Sequence, residues 1–444
     1  MKKKRILIYN DNSKRDLLGI RLLKYELENL GYFIKICNSQ DADVKFRIFK
    51  PHAFIAARAD NYISKQAGFV CKVFIVPGEG GHQTKETMLS VFMGRGYWKL
   101  DSVEWINKCY LWNKNSKKWL LDSGLFKENQ LSVIGSPRLD IYKNADLIEN
   151  ISKSKKGSFK IGIAFSAKST STYYGHPNFA EVYYNFNPKM NFPITRDGGH
   201  FEDIVWRDHI ILRKMMRVVR LCIEKSVGHV ILRPSPFESP KEYFFLEKLS
   251  PEKIKIKTRQ TLPEFLCEID VLITCWSTVG IESLILNKPV ISIAGLIQKE
   301  ILFQHISEKA SGFKTFVKNY LQPKSEKELL ELIESIKKKT FYQSDSKKLL
   351  NDLYNWNNKL FSSKLIAEDI HSQLKDEDHE INVSWEKYFP LKIEIPLRLA
   401  LLIKKLLLVY KALKSGVFKT YLGFYKNSSS DIENLFKVYK KFNL

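Results

Sequence analysis

The chain has 444 residues, 44% of them hydrophobic, which is long and apolar enough for more than one buried core. Its formal net charge of +24 is spread along the chain, and its short basic clusters accompany no recognition motif for nucleic acid. Basic character with 13% aromatic residues favours an anionic partner such as a nucleotide, a lipid headgroup or an acidic glycan. A genome biased towards Lys, Asn and Ile is the alternative source of much of this charge.

Strand and helix signals alternate along the first part of the chain. Apolar, strand-like stretches occur at 6–9, 32–37, 53–57, 69–76, 110–112 and 132–134. Helical spacing of apolar residues occurs at 13–31 and 116–125. The alternation predicts a doubly wound α/β lobe over residues 1–150 that closes at Gly135 to Asp140, with a polar, lysine-rich linker over 144–158.

The same alternation predicts a second α/β lobe over residues 156–340. Its strand signals lie at 159–165, 229–233 and 254–257, within a strand–turn–helix that starts at 272, and at 289–294. Its helical signals lie at 208–225, 263–269 and 326–339, and residues 173–207 are predicted to form an aromatic insertion. Residues 341–444 are predicted to be a helical extension. The expected fold is α/β, with two Rossmann-like lobes facing a cleft.

Six cysteines are scattered along the chain without a C-x-x-C pair. This pattern predicts buried free thiols in a reducing compartment rather than disulfides or a metal site. The start of the chain, Met1 to Tyr9, has too short an apolar core for a signal peptide and is predicted to form a first strand. We therefore expect a cytoplasmic protein.

The stretch from Leu272 to Ala294 predicts one βαβ unit. The turn after its first strand would lie at the carboxyl edge of a parallel sheet, where helix N–H groups favour phosphates. Ser277 and Thr278 would cap the following helix, and Glu282 would lie about one turn inside it. The alternative is a purely structural cap with a solvated glutamate.

A second phosphate candidate lies upstream, where the strand His229 to Arg233 is followed by Pro234-Ser235-Pro236-Phe237-Glu238. Proline fixes the backbone, so Arg233 and Ser235 are predicted to lie in a rigid loop at the same sheet edge. A rigid arginine there suits a phosphate. The hydroxyl-rich turn that begins at Ser166 is a further candidate phosphate loop, although it lacks the glycines of a P-loop.

Glu79 is the candidate catalytic carboxylate, because it lies in a glycine-rich turn, Pro77 to His82, directly after a buried strand. Glycine on both sides allows close approach of a substrate. Such a carboxylate could deprotonate an acceptor hydroxyl or stabilise an oxocarbenium-like transition state. The alternative is an ordinary turn glutamate.

A second polar cluster contains Asp197, His200, Glu202 and Asp203. Its spacing matches no ligand pattern, so we expect no metal there. An acid, base or nucleophilic role for Asp197 or Glu202 competes with a solvated loop.

The segment 396–425 is the candidate membrane-surface element. Four cations of Pro396 to Leu413, at 398, 404, 405 and 411, fall within an arc of about 140° in a helix that is otherwise mainly Leu, Ile and Val. Four cations in about eighteen residues disfavour a transmembrane span. A helix lying in the inner face of the cytoplasmic membrane, followed by aromatic residues, competes with a domain-packing helix that has a basic outer face.

Taken together, these motifs resemble those of bacterial surface-carbohydrate proteins, which build capsule or lipopolysaccharide. The resemblance rests on G-x-x-x-x-D at Gly135 to Asp140, R-P-x-P-x-E at Arg233 to Glu238, W-S-T-x-x-x-E at Trp276 to Glu282 and N-K-P-V at Asn287 to Val290. It covers roughly residues 1–340 and points to glycosyltransferases of the GT-B type related to transferases for 3-deoxy-manno-octulosonic acid (Kdo).

The resemblance implies roles for these residues. The donor nucleotide would be held by Arg233, Ser235, Glu238, Trp276, Ser277, Thr278 and Glu282. Glu79 would be catalytic, Ser136 and Arg138 would lie at the hinge against the phosphates, and neither a metal nor a further cofactor would be needed. Related sequences usually have R-P-H-P where this chain has Ser235, so the expected histidine is missing.

The predicted function is therefore transfer of a sugar, Kdo-type or sialic-type from a CMP donor, onto a surface polysaccharide or lipid-linked glycan. The predicted partners are a nucleotide-activated sugar and a glycan acceptor, and nucleic acid is not among them. Two alternatives stay open: a polyol-phosphate transferase using a CDP donor, and an inactive scaffold that binds nucleotide or glycan.

Overall fold

The computed structural model of the chain describes residues 3–11, 13–38, 41–58, 67–78, 85, 88, 103–152, 157–165, 167, 201–235, 238–258, 260–275, 277–297, 319–340, 347–356 and 360–375. These residues divide into two compact units. Unit 1 holds the described residues up to Lys143 together with 350–375, and unit 2 holds those within Asn144–Leu349.

Unit 1 is built on a parallel sheet with the strand order β2-β1-β3-β4-β5-β6. Its strands are β1 (Arg5–Asn10), β2 (Phe33–Asn38), β3 (Ala53–Ala56), β4 (Lys72–Ile75), β5 (Lys108–Leu111) and β6 (Leu131–Val133). Each lies within a few residues of a predicted strand. The α/β prediction is therefore confirmed for this unit, and parallel pairing brings the carboxyl ends of all six strands to one edge.

Helices cover both faces of this sheet. They are α1 (Ser13–Asn29), α2 (Ala42–Phe49), α3 (Lys114–Leu121) and, from far along the chain, α12 (Ser362–Lys375). Short 3-10 helices span Glu128–Gln130 and Pro137–Lys143. One core lies on the α2 and α3 side, and the other lies beneath α1 and α12. Helix α12 buries Ile366, Ala367, Ile370 and Leu374 in that second core.

Unit 2 is built on a second parallel sheet with the order β11-β10-β7-β8-β9. Its strands are β7 (Lys160–Ala164), β8 (His229–Arg233), β9 (Ile254–Ile256), β10 (Val271–Thr274) and β11 (Val290–Ser292). Its helices are α4 (Ala145–Ser152), α5 (Phe201–Glu224), α6 (Phe244–Leu249), α7 (Leu262–Glu268), α8 (Val279–Ile285), α9 (Ala294–Ile297) and α10 (Glu326–Lys337). Helix α11 (Lys347–Tyr354) leads back to unit 1.

The predicted linker over 144–158 is wrong for its first half, which forms α4. Asn144 caps this helix, because its Oδ1 accepts a hydrogen bond from the N–H of Leu147 at 2.9 Å. Leu147 is buried and α4 packs against α7. The lysines that suggested a linker follow the helix, whereas the apolar spacing within 147–151 is helical.

The predicted insertion over 173–207 is wrong at its end, because α5 begins at Phe201 rather than near Asp208. Phe201, Ile204 and Val205 continue the i, i+3, i+4 spacing of the helix that follows, so the helical pattern starts earlier than predicted. Glu202 therefore lies on a helix and not in a loop.

The predicted burial of the thiols is confirmed for five of the six cysteines, and Cys71 is half-buried. All six thiols are free. Burial raises the pKa of Cys109 and Cys275 well above the usual value of a thiol, which makes both inert as nucleophiles.

Across the described ranges, which stop at Lys375, no helix has the length and apolar character that crossing a membrane requires. The candidate membrane-surface segment 396–425 lies outside the described residues.

Candidate functional site

Two of the predicted donor motifs meet at the carboxyl edge of the unit 2 sheet. Arg233 ends β8 and pairs with Ala164, which ends β7. Thr274 ends β10 on the other side of β7, and its hydroxyl donates to the carbonyl of Ala164 at 3.2 Å. With strands about 4.8 Å apart, Arg233 and Thr274 lie two strand spacings, or about 10 Å, from each other. Ser277 lies three residues beyond Thr274, so the Arg233 and Ser277 motifs follow strands that end at the same edge of the sheet, as predicted.

Arg233 is held against the start of α7. Its Nη1 donates to the carbonyl of Gln260 at 2.8 Å, and its guanidinium carbon lies 5.4 Å from the ring centroid of Phe265. Gln260 directly precedes Thr261, which caps α7 with a reciprocal bond to Glu264. The capped helix and the aromatic ring fix the guanidinium at the sheet edge.

Glu238 joins the loops that follow β7 and β8. Glu238 is 3% exposed, and its carboxylate accepts the N–H of Ala167 on Oε1 and the N–H of Ser235 on Oε2, both at 2.6 Å. The N–H of Glu238 in turn donates to the carbonyl of Ser235 at 3.0 Å. The last residue of the R-P-x-P-x-E motif thus fixes the backbone of the loops that follow two neighbouring strands.

Burial raises the pKa of Glu238 from 4.5 to about 7, against the two N–H donors, which favour the carboxylate. The nearby carboxylates of Asp208 and Glu242 raise it further. Tyr243 donates its hydroxyl to Glu238, and burial and that carboxylate raise the tyrosine pKa. Its ring packs 4.5 Å from the ring of Phe165, which follows β7. Sequence reasoning missed Tyr243, which lies in a 3-10 helix without a motif.

A buried ion pair, Arg207 with Asp208, lies close enough to this edge to affect the pKa of a residue there. Arg207 and Asp208, 8% and 0% exposed, are joined at 3.0 Å through Nε and 2.9 Å through Nη2. Their charges act on the pKa of Cys275, which follows β10. The sequence gives no signal for their burial, because the pair falls where the insertion was predicted to end.

The turn before α8 differs in detail from the prediction. Ser277 Oγ accepts the N–H of Val279 at 3.4 Å, but exposed Thr278 makes no side-chain cap bond, so the prediction that both residues cap is wrong for Thr278. The hydroxyl of Tyr320 donates to the carbonyl of Ser277 at 3.3 Å. Glu282 is 4% exposed and lies inside the helix rather than on a solvated face.

The G-x-x-x-x-D motif of unit 1 fastens α12. Asp140 is 0% exposed and accepts the N–H groups of Ser362 and Ser363 at 2.9 and 2.7 Å. Gly135 has φ +104°, and a Cβ there would lie 2.9 Å from Ser362 Oγ. Between them Ser136 is buried and Arg138 is half-buried. A hinge role for Ser136 and Arg138 stays a prediction.

A charge cluster that the sequence did not suggest lies at the carboxyl edge of the unit 1 sheet. Arg15 grips Asp16 through Nε at 2.6 Å and Nη2 at 2.7 Å, and Arg58 contacts Asp11 at 2.8 Å. Burial raises the pKa of Asp16, while Arg15 and then Arg138 oppose the rise. Gly78 packs against Asp16, and a Cβ there would lie 2.7 Å from the carboxylate.

Several predicted site residues lie outside the described residues, namely Glu79, Ser166, Asp197 and Trp276. Glu202 lies in α5, and its side chain is not described. Within the residues that are described, no three His, Cys, Asp or Glu side chains are grouped as metal ligands would be.

The sequence matches no protein-family model and no curated protein. The structure is similar to solved structures of the wall teichoic acid polymerase TagF. A histidine-to-alanine variant of TagF has a TM-score of 0.52 and 13% sequence identity, over 85% of this chain and 90% of that one. The fold is of the GT-B type. A second TagF variant, soaked with CDPG, has a TM-score of 0.50 and 12% identity, over 84% of this chain and 90% of that one.

A UDP-GlcNAc 2-epimerase from Methanocaldococcus jannaschii also matches, with a TM-score of 0.46 and 14% identity, over 84% of this chain and 100% of that one. At 12–13% identity, the similarity to TagF concerns the fold alone.

Proposed function

We propose that this protein is a cytoplasmic glycosyltransferase that moves a sugar from a nucleotide donor onto a surface polysaccharide or lipid-linked glycan. The observation that carries the proposal is the Glu238 bridge. It ties the loops after β7 and β8 together at the edge where Arg233 and the Ser277 turn also lie. In open α/β sheets, ligands bind at the carboxyl ends of the strands.

In this proposal Arg233 neutralises donor phosphate as the nucleotide leaves. Its guanidinium is already fixed by Gln260 and Phe265, so little reorganisation is needed when charge develops on the leaving group. Ser235 and Ser277 add hydroxyl donors from the loops after β8 and β10, which lie on either side of β7. Glu79, in unit 1, would deprotonate the acceptor hydroxyl or stabilise the sugar as positive charge develops.

The donor nucleotide is the first point to test. A ligand that binds only the native state raises the melting temperature. Because the predicted donors carry CMP or CDP, a thermal-shift series with CMP, CDP, UDP and GDP should show the largest rise with a cytidine nucleotide. Arg233→Lys should reduce that rise strongly, since lysine lacks the planar fork of donors. Arg220→Lys, a solvent-exposed arginine on α5, is the control. No response to any nucleotide would contradict the proposal.

The catalytic assignment has its own test. Glu79→Gln should bind the nucleotide normally and lower the rate of sugar transfer by about 100-fold or more. Glu104→Gln, an exposed glutamate of unit 1, should leave the rate unchanged. A Glu79→Gln protein with the wild-type rate would remove Glu79 from the mechanism and leave the donor site standing.

A second candidate is a polyol-phosphate transferase that uses a CDP donor. It is favoured by the similarity to TagF, a wall teichoic acid polymerase that was solved with CDPG. Incubation with a CMP-linked acid sugar and with a CDP-linked polyol, followed by measurement of released CMP, separates the two. Binding of CMP without turnover of either donor would favour a scaffold.

A further inference from the structure

A short helix beside the edge strand of unit 2 exposes several large apolar side chains. Phe244, Phe245 and Leu249 of α6 are 41%, 49% and 74% exposed, whereas Leu246 is 7% exposed. Single exposed apolar residues are ordinary on protein surfaces, but three within six consecutive residues form a patch. We name Phe244, Phe245, Lys248 and Leu249 the α6 face.

The four side chains of the α6 face share one side of the helix. At 100° per residue, they fall in the order Phe244, Lys248, Phe245, Leu249 within an arc of about 140°. Glu247 lies about 160° from Leu249 and pairs with Lys255 on β9 at 3.8 Å. The outward face of α6 is therefore apolar with a lysine between its aromatic residues.

The surroundings of the α6 face are basic. Residues 241–257 contain five lysines and three glutamates. Lys241, Lys248 and Lys255 are exposed, and the whole chain carries a net charge of +24. Lysine stems can lie along apolar surface while their ammonium groups reach phosphate. A second copy of the same chain would bring like charge against this surface, so the charge disfavours self-association.

We propose that the α6 face docks on the surface of an anionic phospholipid bilayer. Phe245 and Leu249 would enter the boundary between headgroups and acyl chains, with the lysines against lipid phosphates. This inference goes beyond the proposed function and does not depend on it. The face follows Glu238 and Tyr243 closely in the chain, and both are buried at the candidate donor edge. Docking would thus hold that edge at a fixed distance from the bilayer.

A probe at position 249 tests insertion locally in the full chain. The native thiols are buried or half-buried, so Leu249→Cys can be labelled selectively with an environment-sensitive fluorophore. With vesicles of phosphatidylglycerol and phosphatidylcholine, its emission should shift to the blue and be quenched by brominated lipid. Leu360→Cys, at a site 54% exposed in unit 1, should show neither change. An unchanged spectrum at 249 on vesicle-bound protein would overturn the proposal, even if residues 396–425 bind lipid.

Flotation of paired variants measures the contribution of the face. Phe245→Ser with Leu249→Ser should lower partition onto anionic vesicles by about tenfold. Phe69→Ser with Leu360→Ser, two residues 55% and 54% exposed in unit 1, is the matched control and should float like wild type. Equal partition of both pairs contradicts the proposal. Light scattering gives a second contradictory outcome. If the wild-type protein is a dimer and only Phe245→Ser with Leu249→Ser makes it monomeric, the α6 face is a self-association surface.

Discussion

Two buried carboxylates, one in each unit, each accept two backbone N–H groups, but they connect different parts of the chain. Asp140 accepts the N–H groups of Ser362 and Ser363, at 2.9 and 2.7 Å. Glu238 accepts those of Ala167 and Ser235, both at 2.6 Å. Each ends a motif, G-x-x-x-x-D or R-P-x-P-x-E, that suggested a donor site.

The difference lies in what each carboxylate joins. Asp140 caps α12 by binding Ser362 and Ser363, which lie 222 and 223 positions further along the chain. Lys143, at 3.3 Å, balances its charge. Glu238 reaches only 71 and 3 positions and joins two loops at one sheet edge. Asp140 therefore holds the fold, whereas Glu238 holds the geometry of a candidate site. A motif carboxylate indicates a fixed backbone, and only its partners show whether that backbone serves stability or binding.

The largest effect is expected for Asp140→Ala. The first N–H groups of α12 lose their acceptor and Lys143 loses its counter-charge, which should cost about 4 kcal/mol of unfolding free energy. Urea denaturation measures the cost, and amide hydrogen exchange should rise across 362–375. Asp146→Ala, at an exposed position in the first turn of α4, is the control and should cost less than about 1 kcal/mol. Equal costs for the two variants would mean that Asp140 contributes no more to stability than an exposed helix carboxylate, and would contradict its role in holding α12.

The next effect is a pH dependence from Glu238. Its pKa is about 7 in the folded protein against 4.5 ordinarily, so between these values the folded state keeps a proton that the unfolded chain releases. Stability therefore falls as pH rises through this window, by up to about 3 kcal/mol. Urea denaturation at several pH values should show this fall in wild type and not in Glu238→Gln. Glu104→Gln, at an exposed position in unit 1, controls for the loss of one carboxylate. Parallel profiles for wild type and Glu238→Gln would contradict the expectation.

A smaller loss of stability is expected for Gly135→Ala. Comparison with Gly31→Ala separates the cost of backbone strain from the cost of close packing. Its φ is +104° and a Cβ would meet Ser362 Oγ at 2.9 Å and the Tyr354 carbonyl at 3.2 Å. Gly31 has a similar φ of +93° but nothing within 4 Å of a Cβ. Gly135→Ala should cost about 2 kcal/mol and Gly31→Ala about 1 kcal/mol by thermal unfolding. Equal costs would mean that Ser362 can move away from the added methyl group without a measurable loss of stability.

The smallest effect on stability is expected for Thr278→Val, because the exposed hydroxyl makes no cap bond. Unfolding free energy should change by less than about 0.5 kcal/mol. If Thr278 helps to hold the donor nucleotide, as the resemblance in sequence implies, calorimetry should show nucleotide affinity lowered by about tenfold. Unchanged affinity would exclude Thr278 from the donor site, and a large loss of stability would make it a fold residue like Asp140.

The sequence predicted the sheets well because their signal is local. The strand His229 to Arg233 was found at its observed bounds, since apolar runs bounded by proline and glycine mark buried parallel strands. Helices α2 and α4 were missed because charged residues interrupt short apolar patterns. The role of Asp140 had no local signal, as its partners lie more than two hundred residues away.

The candidate site was predictable in its position and less so in its contacts. Arg233 and Ser277 were expected at one sheet edge, which follows from parallel topology alone. The bond from Arg233 to Gln260, the bridge through Glu238 and the buried pair of Arg207 and Asp208 depend on packing between segments distant in the chain. No spacing rule in the sequence encodes such contacts.

The return of α12 to unit 1 has a consequence for biosynthesis. The sheet of unit 1 emerges first from the ribosome, yet Ile366, Ala367, Ile370 and Leu374 complete one of its cores only after the strands and helices of unit 2 have been translated. While unit 2 is being translated, the nascent chain therefore exposes the apolar face of the unit 1 sheet that α12 later covers. A product released early, before residue 362, would keep that surface open and is expected to depend on chaperones or to aggregate.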